Sequence, residues 1–253
     1  MFLSGIHIPT CLDSRLKHAG MTDFGWEINL TQRSEGESTQ GIEIMDVDWS
    51  IVNRAKNLVA DQLDLPILSF PIVDDYRQPL ALFMKPGMKL LDIGGNQRAL
   101  KTYVENAVKS EVAYKSMDID RTHAHDFYSM DEISGAYDAI GCFEVVEHMS
   151  PGEALKLFHK AYELLSPGGR LFVSSPNVYH PMSFWSDSTH ITPYRLRHLA
   201  GWMGTAGFSR FWGYRIVRMT WKKRLRYWRY RGLLRLLNLD FAPGILVVGE
   251  KNK

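Results

Sequence analysis

The sequence predicts an α/β protein built on a mostly parallel sheet with helices on both faces. After Pro86-Gly87, strand-like apolar runs alternate with amphipathic helical patterns to the end of the chain. Strands are expected at Lys89–Gly94, Val112–Asp118, Tyr137–Phe143, Arg170–Ser175, Phe211–Met219 and Ile245–Gly249. Helices are expected at Gln97–Val108, Gly152–Leu165 and Tyr194–Ala206. A chain of 253 residues is long enough for one large domain of this class and an extension.

The first third of the chain lacks this alternation. We expect residues 1–85 to form an N-terminal extension packed on or capping a main domain of residues 86–253. The stretch TQRSEGESTQG (31–41) has no periodicity and is typical of a loop. A helix is predicted over Trp49–Leu63, with Asp48 as its N-cap, before several prolines interrupt the chain.

Composition limits the class of protein. A hydrophobic content of 45% and a charged content of 23% are typical of a soluble globular chain. Two cysteines, Cys11 and Cys142, are too few for a disulfide framework and favour a reducing compartment. The N-terminus lacks the pattern of a signal peptide, and no window has the roughly 18 apolar residues that cross a bilayer. We therefore expect a cytoplasmic location.

A glycine turn follows the first strand of the predicted sheet. Leu90, Leu91, Asp92 and Ile93 run into Gly94-Gly95-Asn96, after which a helix is predicted. Backbone N–H groups and the helix dipole at such a turn favour a polar or anionic ligand group. The alternative is an ordinary strand-to-helix connection without a ligand.

Acidic residues follow at the ends of later strands. Asp118 closes the second strand, 24 residues after Gly94, where a carboxylate can accept hydrogen bonds from the two hydroxyls of a ribose. Asp126 and Phe127 stand where a third strand should end, and they suit the amino group and the face of an adenine. The alternative for Asp118 is an exposed aspartate in a turn, and the neighbouring Asp120 leaves open which of the two acids binds the ribose.

The order LLDIGGN, SMDID, HDF, YDAIGCFEVVEHM and LLSPGGRLFVSSPN resembles the class I S-adenosylmethionine-dependent methyltransferases over residues 86–215. The resemblance implies a Rossmann-like sheet of seven strands, with the last strand antiparallel, and S-adenosylmethionine as cofactor. The cofactor-binding residues that it implies are Asp92, Gly94, Gly95, Asn96, Asp118, Asp126, Phe127, Phe143 and Glu144.

One departure from the family pattern concerns the glycine turn. The family usually has D-x-G-x-G-x-G, whereas Asn96 and Arg98 replace the second and third glycines here. Asn tolerates left-handed backbone better than most residues, so the turn is expected to form. A nicotinamide dinucleotide site is disfavoured because G-x-G-x-x-G is absent.

Glu144, Glu147 and His148 form the main cluster of reactive side chains, and a helical turn starting at Glu144 would place them on one face. With His190 they could bind Mg²⁺ or Mn²⁺. This set is similar to the metal site of small-RNA 2′-O-methyltransferases and to quinone-biosynthesis O-methyltransferases. The alternative is catalysis without metal, in which His148 or His190 is the general base. The expected catalytic residues are His148, His190 and Glu147.

The acceptor is indicated by a later segment. SDSTHITPYRLRHLAGWMGTAGF resembles part of the methyltransferases found with surface-polysaccharide synthesis. The favoured function is therefore O-methylation of a sugar hydroxyl or similar acceptor in cell-surface glycan synthesis. Two alternatives stay open, a metal-assisted RNA methyltransferase and a cofactor-binding scaffold without catalysis.

A basic, aromatic helix is predicted over Trp221–Leu237, inserted at about 220–238 between the last two strands. From Arg210 to Arg235 there are ten Arg or Lys and no Asp or Glu, so the remainder carries 20 basic and 28 acidic residues. Trp and Leu interleaved with Arg suit an anionic lipid surface, and such a helix could also bind RNA. It could equally cover the sheet or form a subunit interface.

Overall fold

A computed structural model describes residues 21–22, 25–26, 49–63 and 65–253. The chain divides into two compact units, Met1–Ile44 and Met45–Lys253. In the first unit, the described residues form an antiparallel pair of short strands, β1 (Met21–Thr22) and β2 (Gly25–Trp26). The predicted loop at 31–41 and the predicted N-cap Asp48 lie outside the described residues.

The second unit is built on a sheet of seven strands. The strands are β3 (Ile72–Val73), β4 (Lys89–Ile93), β5 (Ala113–Met117), β6 (Tyr137–Phe143), β7 (Leu165–Pro176), β8 (Arg210–Ile216) and β9 (Gly244–Glu250). Their order across the sheet is β3-β8-β9-β7-β6-β4-β5. Strand β9 is antiparallel to both of its neighbours, whereas the other pairs are parallel. The predicted mostly parallel sheet with an antiparallel last strand is confirmed.

Helices cover both faces of this sheet. They are α1 (Trp49–Leu58), α2 (Ala60–Leu63), α3 (Gln78–Phe83), α4 (Ala99–Val108), α5 (Pro151–Leu164), α6 (Leu196–Thr205) and α7 (Trp221–Leu236). Because side chains alternate along a strand, Leu91 and Ile93 of β4 face one apolar core, and Leu90 faces another. Helices α5 and α6 pack on the first core, and α3 and α4 pack on the second.

Residues 49–85, predicted as part of the extension, lie in the same compact unit as the sheet. Their strand β3 pairs with β8 at the edge of the sheet. A buried ion pair fixes this edge, since Arg215 of β8 lies 3.1 Å from Asp240. The Arg215 guanidinium also donates to the carbonyl oxygens of Leu68 and Phe70. Removing one partner of such a pair leaves a buried charge and costs about 3–5 kcal/mol.

The strand predicted to end near Asp126 does not form. Phe127 makes only an isolated bridge with Met117 of β5, so β5 is the last strand on that side among the described residues. The segment after β5 is rich in polar residues and lacks the alternating apolar pattern of a strand. The seventh strand is therefore β3, at the opposite edge of the sheet from the predicted one.

The strand directions determine where a ligand can bind. Strands β4, β5, β6 and β7 are parallel, so Ile93, Met117 and Phe143 all lie at or near one edge of the sheet. Ligands of open parallel sheets bind at this carboxyl edge. Among the described residues, no helix combines the length and the apolar character that crossing a membrane requires.

Candidate active site

The turn between β4 and α4 requires glycine at its first position. Gly94 has φ +75°, and a Cβ placed on it would lie 2.4 Å from Val145 Cγ2. The backbone N–H groups of Gly94 and Gly95 both donate to the Met117 carbonyl oxygen, which ties the turn to the end of β5. The turn therefore brings the backbone closer to its neighbours than a side chain would allow.

The two residues that replace family glycines keep the glycine-like backbone. Asn96 has φ +36° and Arg98 has φ +58°, both in the left-handed region. This conformation costs an ordinary residue about 1–2 kcal/mol. For Arg98, tertiary contacts offset the cost: Nη2 donates to Asp126 Oδ2 at 3.1 Å, and the guanidinium lies 5.1 Å from the centre of the Tyr114 ring.

Asp118 lies next to this turn. Its Oδ2 accepts a hydrogen bond of 2.8 Å from the Asn96 backbone N–H, and its Oδ1 accepts one from Asp120 N–H at 3.0 Å. A carboxylate has about four acceptor positions, so two remain for other donors. The Asp120 carboxylate instead accepts hydrogen bonds from the backbone and hydroxyl of Thr122. Asp118 is thus the acid that is tied directly to the turn at residues 94–96, although both acids line a cavity beside it.

A cavity of about 390 Å³ opens between Asp118 and the turn. Its lining combines two kinds of residue. The apolar ones are Ile93, Met117, Ile119, Met130, Val145 and Met149, and the others are Gly94, Asn96, Asp118, Asp120, Glu144 and His148. A lining that combines polar groups with apolar side chains suits a nucleoside, whose sugar is polar and whose base is flat and largely apolar.

Asp126 and Phe127, the predicted adenine contacts, are not among the residues that line this cavity. The Asp126 carboxylate is engaged elsewhere: Lys115 Nζ donates to Oδ1 at 2.8 Å, and the Ser116 backbone N–H donates to Oδ2 at 2.9 Å. With Arg98, these donors lower the Asp126 pKa, although partial burial acts against them. The structure therefore assigns Asp126 to holding the turn in place, and it brings Ile119 and Met130 to the cavity instead.

A second cavity, of about 280 Å³, lies on the other side of the turn. Its lining includes four of the predicted cofactor-binding residues, Asp92, Gly94, Asn96 and Phe143. Leu100 of α4 also lines it. Two further lining residues, Tyr76 and Arg77, come from the segment before α3. The Tyr76 ring lies 4.8 Å from the Phe143 ring, centre to centre. Arg77 Nε donates to Asp75 Oδ1 at 2.9 Å, which fixes a cation at this cavity.

Asp92 is a buried carboxyl at the end of β4. Burial raises its pKa to about 6, and the nearby Asp118 carboxylate contributes in the same direction. The Tyr114 hydroxyl donates to Asp92 Oδ2 at 2.7 Å and opposes the rise. Above about pH 6 the carboxyl is charged, and because it is buried and poorly screened it would attract a cation in the cavity strongly.

The predicted helical face of Glu144, Glu147 and His148 does not form. Glu144 has φ +55°, which no helix accommodates, and only Val146–His148 make a single 3₁₀ turn. Glu147 is consequently buried, whereas His148 is exposed. The Glu144 carboxylate accepts a hydrogen bond of 2.6 Å from Ser174 Oγ at the end of β7.

Glu147 is fully buried, with 0% of its surface exposed. Among the described residues, none donates a hydrogen bond to either carboxyl oxygen of Glu147, and Ser175 Oγ and Tyr194 Oη close to the cluster are likewise without a partner there. Burial, followed by the charge of Glu144, raises the pKa of Glu147 to about 8. An unpartnered buried carboxyl is costly, which indicates that a proton, a water or a cation compensates it.

His148 and His190 lie beside Glu147. Their rings are 4.8 Å apart, centre to centre. His190 Nδ1 lies 2.8 Å from the Phe184 carbonyl oxygen, and His148 Nδ1 lies 3.2 Å from the Thr189 carbonyl oxygen. Because a carbonyl oxygen only accepts, Nδ1 is the donor in both contacts. His148 Nδ1 also lies 3.0 Å from the Thr189 hydroxyl oxygen, which donates to Asp187 Oδ1.

Three of the four predicted metal ligands come together. Glu147, His148 and His190 each offer one donor atom, and these atoms lie within 4.8 Å of one another. Glu144 is not in this set among the described residues. Two imidazoles and one carboxylate suit a transition-metal ion such as Mn²⁺ better than Mg²⁺, which prefers oxygen ligands.

The sequence missed four residues of the site: Tyr76, Arg77, Ile119 and Met130. Tyr76 and Arg77 lie outside the region of resemblance, so no motif indicated them. Ile119 gave a usable signal, because an apolar residue between Asp118 and Asp120 would be exposed unless a ligand covered it. It is 81% exposed.

Comparisons with known proteins agree with this geometry. Residues 70–210, more than half of the chain, match the family described as methyltransferase domain. An S-adenosylmethionine-dependent methyltransferase from Archaeoglobus fulgidus has a similar structure, with 16% identity, a TM-score of 0.53 and coverage of 69% of this chain and 94% of that one. One from Mesorhizobium loti has 12% identity, a TM-score of 0.51 and coverage of 70% and 98%. No curated protein sequence matches the chain significantly. The chain belongs to the methyltransferase-domain family.

Proposed function

We propose that the enzyme methylates a hydroxyl group of a sugar or similar acceptor in cell-surface glycan synthesis. The observation that carries the proposal is the pair of neighbouring imidazoles, His148 and His190, whose Nδ1 atoms are held by backbone carbonyl oxygens while His148 lines the cavity at the Gly94 turn. The acceptor class rests on the resemblance of the segment 186–208 to methyltransferases of surface-polysaccharide synthesis.

In this proposal, each of the two cavities holds one half of S-adenosylmethionine. Asp118 accepts hydrogen bonds from the ribose hydroxyls, and the adenine lies between Ile119 and Met130. The amino-acid half occupies the second cavity, where the cationic amino group faces Asp92 and the carboxylate faces Arg77. Because Gly94 and Asn96 line both cavities, the cofactor would pass the turn at these two residues.

S-adenosylmethionine supplies a methyl group whose C–S bond breaks as the acceptor oxygen attacks, and the sulfur keeps the bonding electron pair. His190 Nε2 accepts the proton that the acceptor hydroxyl loses. The Phe184 carbonyl holds the ring by its Nδ1–H and stabilises the imidazolium that forms. The charge disperses along the reaction, so alignment and exclusion of water are the main contributions of the protein.

A metal ion would replace His190 as the base, because an imidazole nitrogen that binds the ion has no lone pair left for the proton. Glu147, His148 and His190 would each offer one donor atom to such an ion. It would lower the pKa of the acceptor hydroxyl and orient it. Activity that is lost in EDTA and restored by Mn²⁺ would support the metal-assisted mechanism. Activity that EDTA does not change would exclude it.

The acceptor test uses tritium-labelled cofactor with separate pools of nucleotide sugars, oligosaccharides and RNA. We expect label in a carbohydrate pool, and label in RNA alone would contradict the proposal. Replacing the base with His190→Asn should lower kcat by 10²–10⁴-fold while cofactor affinity is kept. His159→Asn, at an exposed position of α5, is the matched control and should retain activity. Unchanged turnover in His190→Asn would exclude the assigned base.

A further inference from the structure

We propose that α7 is an interfacial helix that docks the enzyme on an anionic lipid bilayer. None of its residues is buried, although the helix carries Trp, Tyr and Leu side chains throughout its length. Because so little of the helix is covered, most of its apolar surface is left exposed by the described part of the chain.

Four of the six large apolar residues that are exposed on α7 lie on one stripe, and the other two, Tyr230 and Leu233, lie outside it. At about 100° per residue, Trp221, Leu225, Trp228 and Leu236 fall within about 80° of the helix circumference. Their exposed fractions are 72%, 59%, 75% and 81%. These four residues are called the apolar stripe below.

The opposite side of the helix faces the protein. Tyr227 and Leu234 are the two residues of α7 that are partly covered. The Tyr227 ring packs 4.7 Å from the Phe241 ring, centre to centre. Both residues lie diametrically opposite the apolar stripe on the helical wheel. The stripe is therefore directed away from the body of the enzyme.

Basic side chains border the stripe on both sides. Arg224 and Arg235 lie along one border, and Lys222 and Arg229 lie along the other. Seven Lys or Arg occur within α7, and no acidic residue does. An apolar stripe between rows of cations complements a bilayer, in which acyl chains lie beneath anionic headgroups.

A lipid surface explains this pattern better than a nucleic acid does. Bases stack on aromatic rings, so Trp221 and Trp228 would serve either partner. Leu225 and Leu236 offer no stacking face, and they gain stability only when an apolar medium covers them. Because both leucines belong to the stripe, the stripe is better suited to contact acyl chains than nucleic acid bases.

The topology places the catalytic edge of the sheet next to this helix. Helix α7 connects β8 to β9, and Ile216 at the end of β8 pairs with Gly244 at the start of β9. Gly244 also pairs with Pro176 at the carboxyl end of β7. The helix thus leaves the sheet from the same edge that carries Gly94 and Glu147. Docking through α7 would turn this edge towards the membrane.

Vesicle sedimentation tests the proposal independently of catalysis. The purified full chain is mixed with vesicles of phosphatidylcholine, with or without about one third phosphatidylglycerol. We expect sedimentation with the anionic vesicles only, and a decrease as salt is raised. No sedimentation with anionic vesicles, or equal sedimentation with both types, would overturn the proposal.

Two variants separate the two kinds of contact. Each basic residue near an anionic surface contributes about fivefold to partitioning, so Arg224, Arg229 and Arg235 changed together to Gln should lower it on the order of a hundredfold. Leu225→Gln with Leu236→Gln should lower it at least about tenfold. The control is Leu82→Gln with Lys85→Gln on and after α3, where Leu82 is 79% exposed. The control should bind like the wild type.

Further results would overturn the proposal in favour of other occupants. Tighter binding to single-stranded RNA than to anionic vesicles at the same salt would assign α7 to nucleic acid. A dimer that dissociates in the Leu225→Gln, Leu236→Gln variant, while vesicle binding is kept, would assign the stripe to a second copy of the chain. Circular dichroism checks that the variants are folded, which is expected because every changed side chain is exposed.

Discussion

Glu147→Gln should change how the stability of the enzyme depends on pH. Glu147 is fully buried, and its pKa is about 8 in the folded protein against an ordinary 4.5. Between these values the folded state holds a proton that the unfolded state has released. Stability that Glu147 contributes is therefore complete below about pH 4.5 and is lost as pH rises towards 8. Because Gln cannot titrate, the free energy of unfolding of the variant should not fall with pH in this way.

The size of the effect follows from the two pKa values. Each pH unit between them removes about 1.4 kcal/mol of stability. Between pH 6 and pH 8 the wild type should lose about 2 kcal/mol more than the variant, because the slope flattens near pH 8. For a protein of this size that corresponds to roughly 5 °C in the difference between the two melting temperatures.

The assay is thermal or urea unfolding of both proteins at several pH values in the presence of EDTA, which keeps metal ions from holding Glu147 in its charged form. Glu163→Gln, at an exposed position of α5, is the matched control for the same substitution. Parallel stability curves for the wild type and Glu147→Gln between pH 6 and pH 8 would refute the assignment of a buried, protonated carboxyl.

Two further predictions concern the cofactor turn. Gly94→Ala should cost about 2–4 kcal/mol of stability, because an alanine is strained in the left-handed backbone and Val145 must shift. The control is Gly232→Ala, which should not destabilise the protein because no atom lies near its Cβ. Equal unfolding midpoints for the two variants would contradict this prediction. Cofactor affinity should fall about tenfold from pH 7 to pH 5 as Asp92, with a pKa of about 6, is protonated; a flat calorimetric profile would exclude Asp92 as the counter-charge.

The sequence predicted the fold best where local signals agree with one another. The apolar run of β4, the glycines after it and the helix that follows specify one strand–turn–helix unit. The prediction of a strand that ends near Asp126 was wrong, because strand pairing at the edge of a sheet depends on which distant segment of the chain reaches that edge. Here the short β3, two residues long, occupies the far edge, and no periodicity could indicate so short a strand.

The site was predicted in part for similar reasons. Spacing along the chain placed Asp118, Glu147 and His190 near the carboxyl edge, since that edge follows from strand order. It could not show that Glu144 has a left-handed backbone or that the Asp126 carboxylate is engaged by Lys115 and Arg98. Those features depend on contacts between residues far apart in the chain, and local patterns do not contain them.

The most direct test is calorimetric titration of S-adenosylmethionine into the wild type, Asp118→Asn and Asp120→Asn. We expect binding at one site, weakened at least tenfold in Asp118→Asn, because a hydrogen bond to a charged group contributes about 1.5–3 kcal/mol. Asp120→Asn should bind within about threefold of the wild type, because the Asp120 carboxylate accepts its hydrogen bonds from Thr122, whereas that of Asp118 accepts one from the Asn96 N–H of the cofactor turn. No heat of binding at millimolar cofactor, or equal weakening in both variants, would contradict the placement of the cofactor between the Gly94 turn and Asp118.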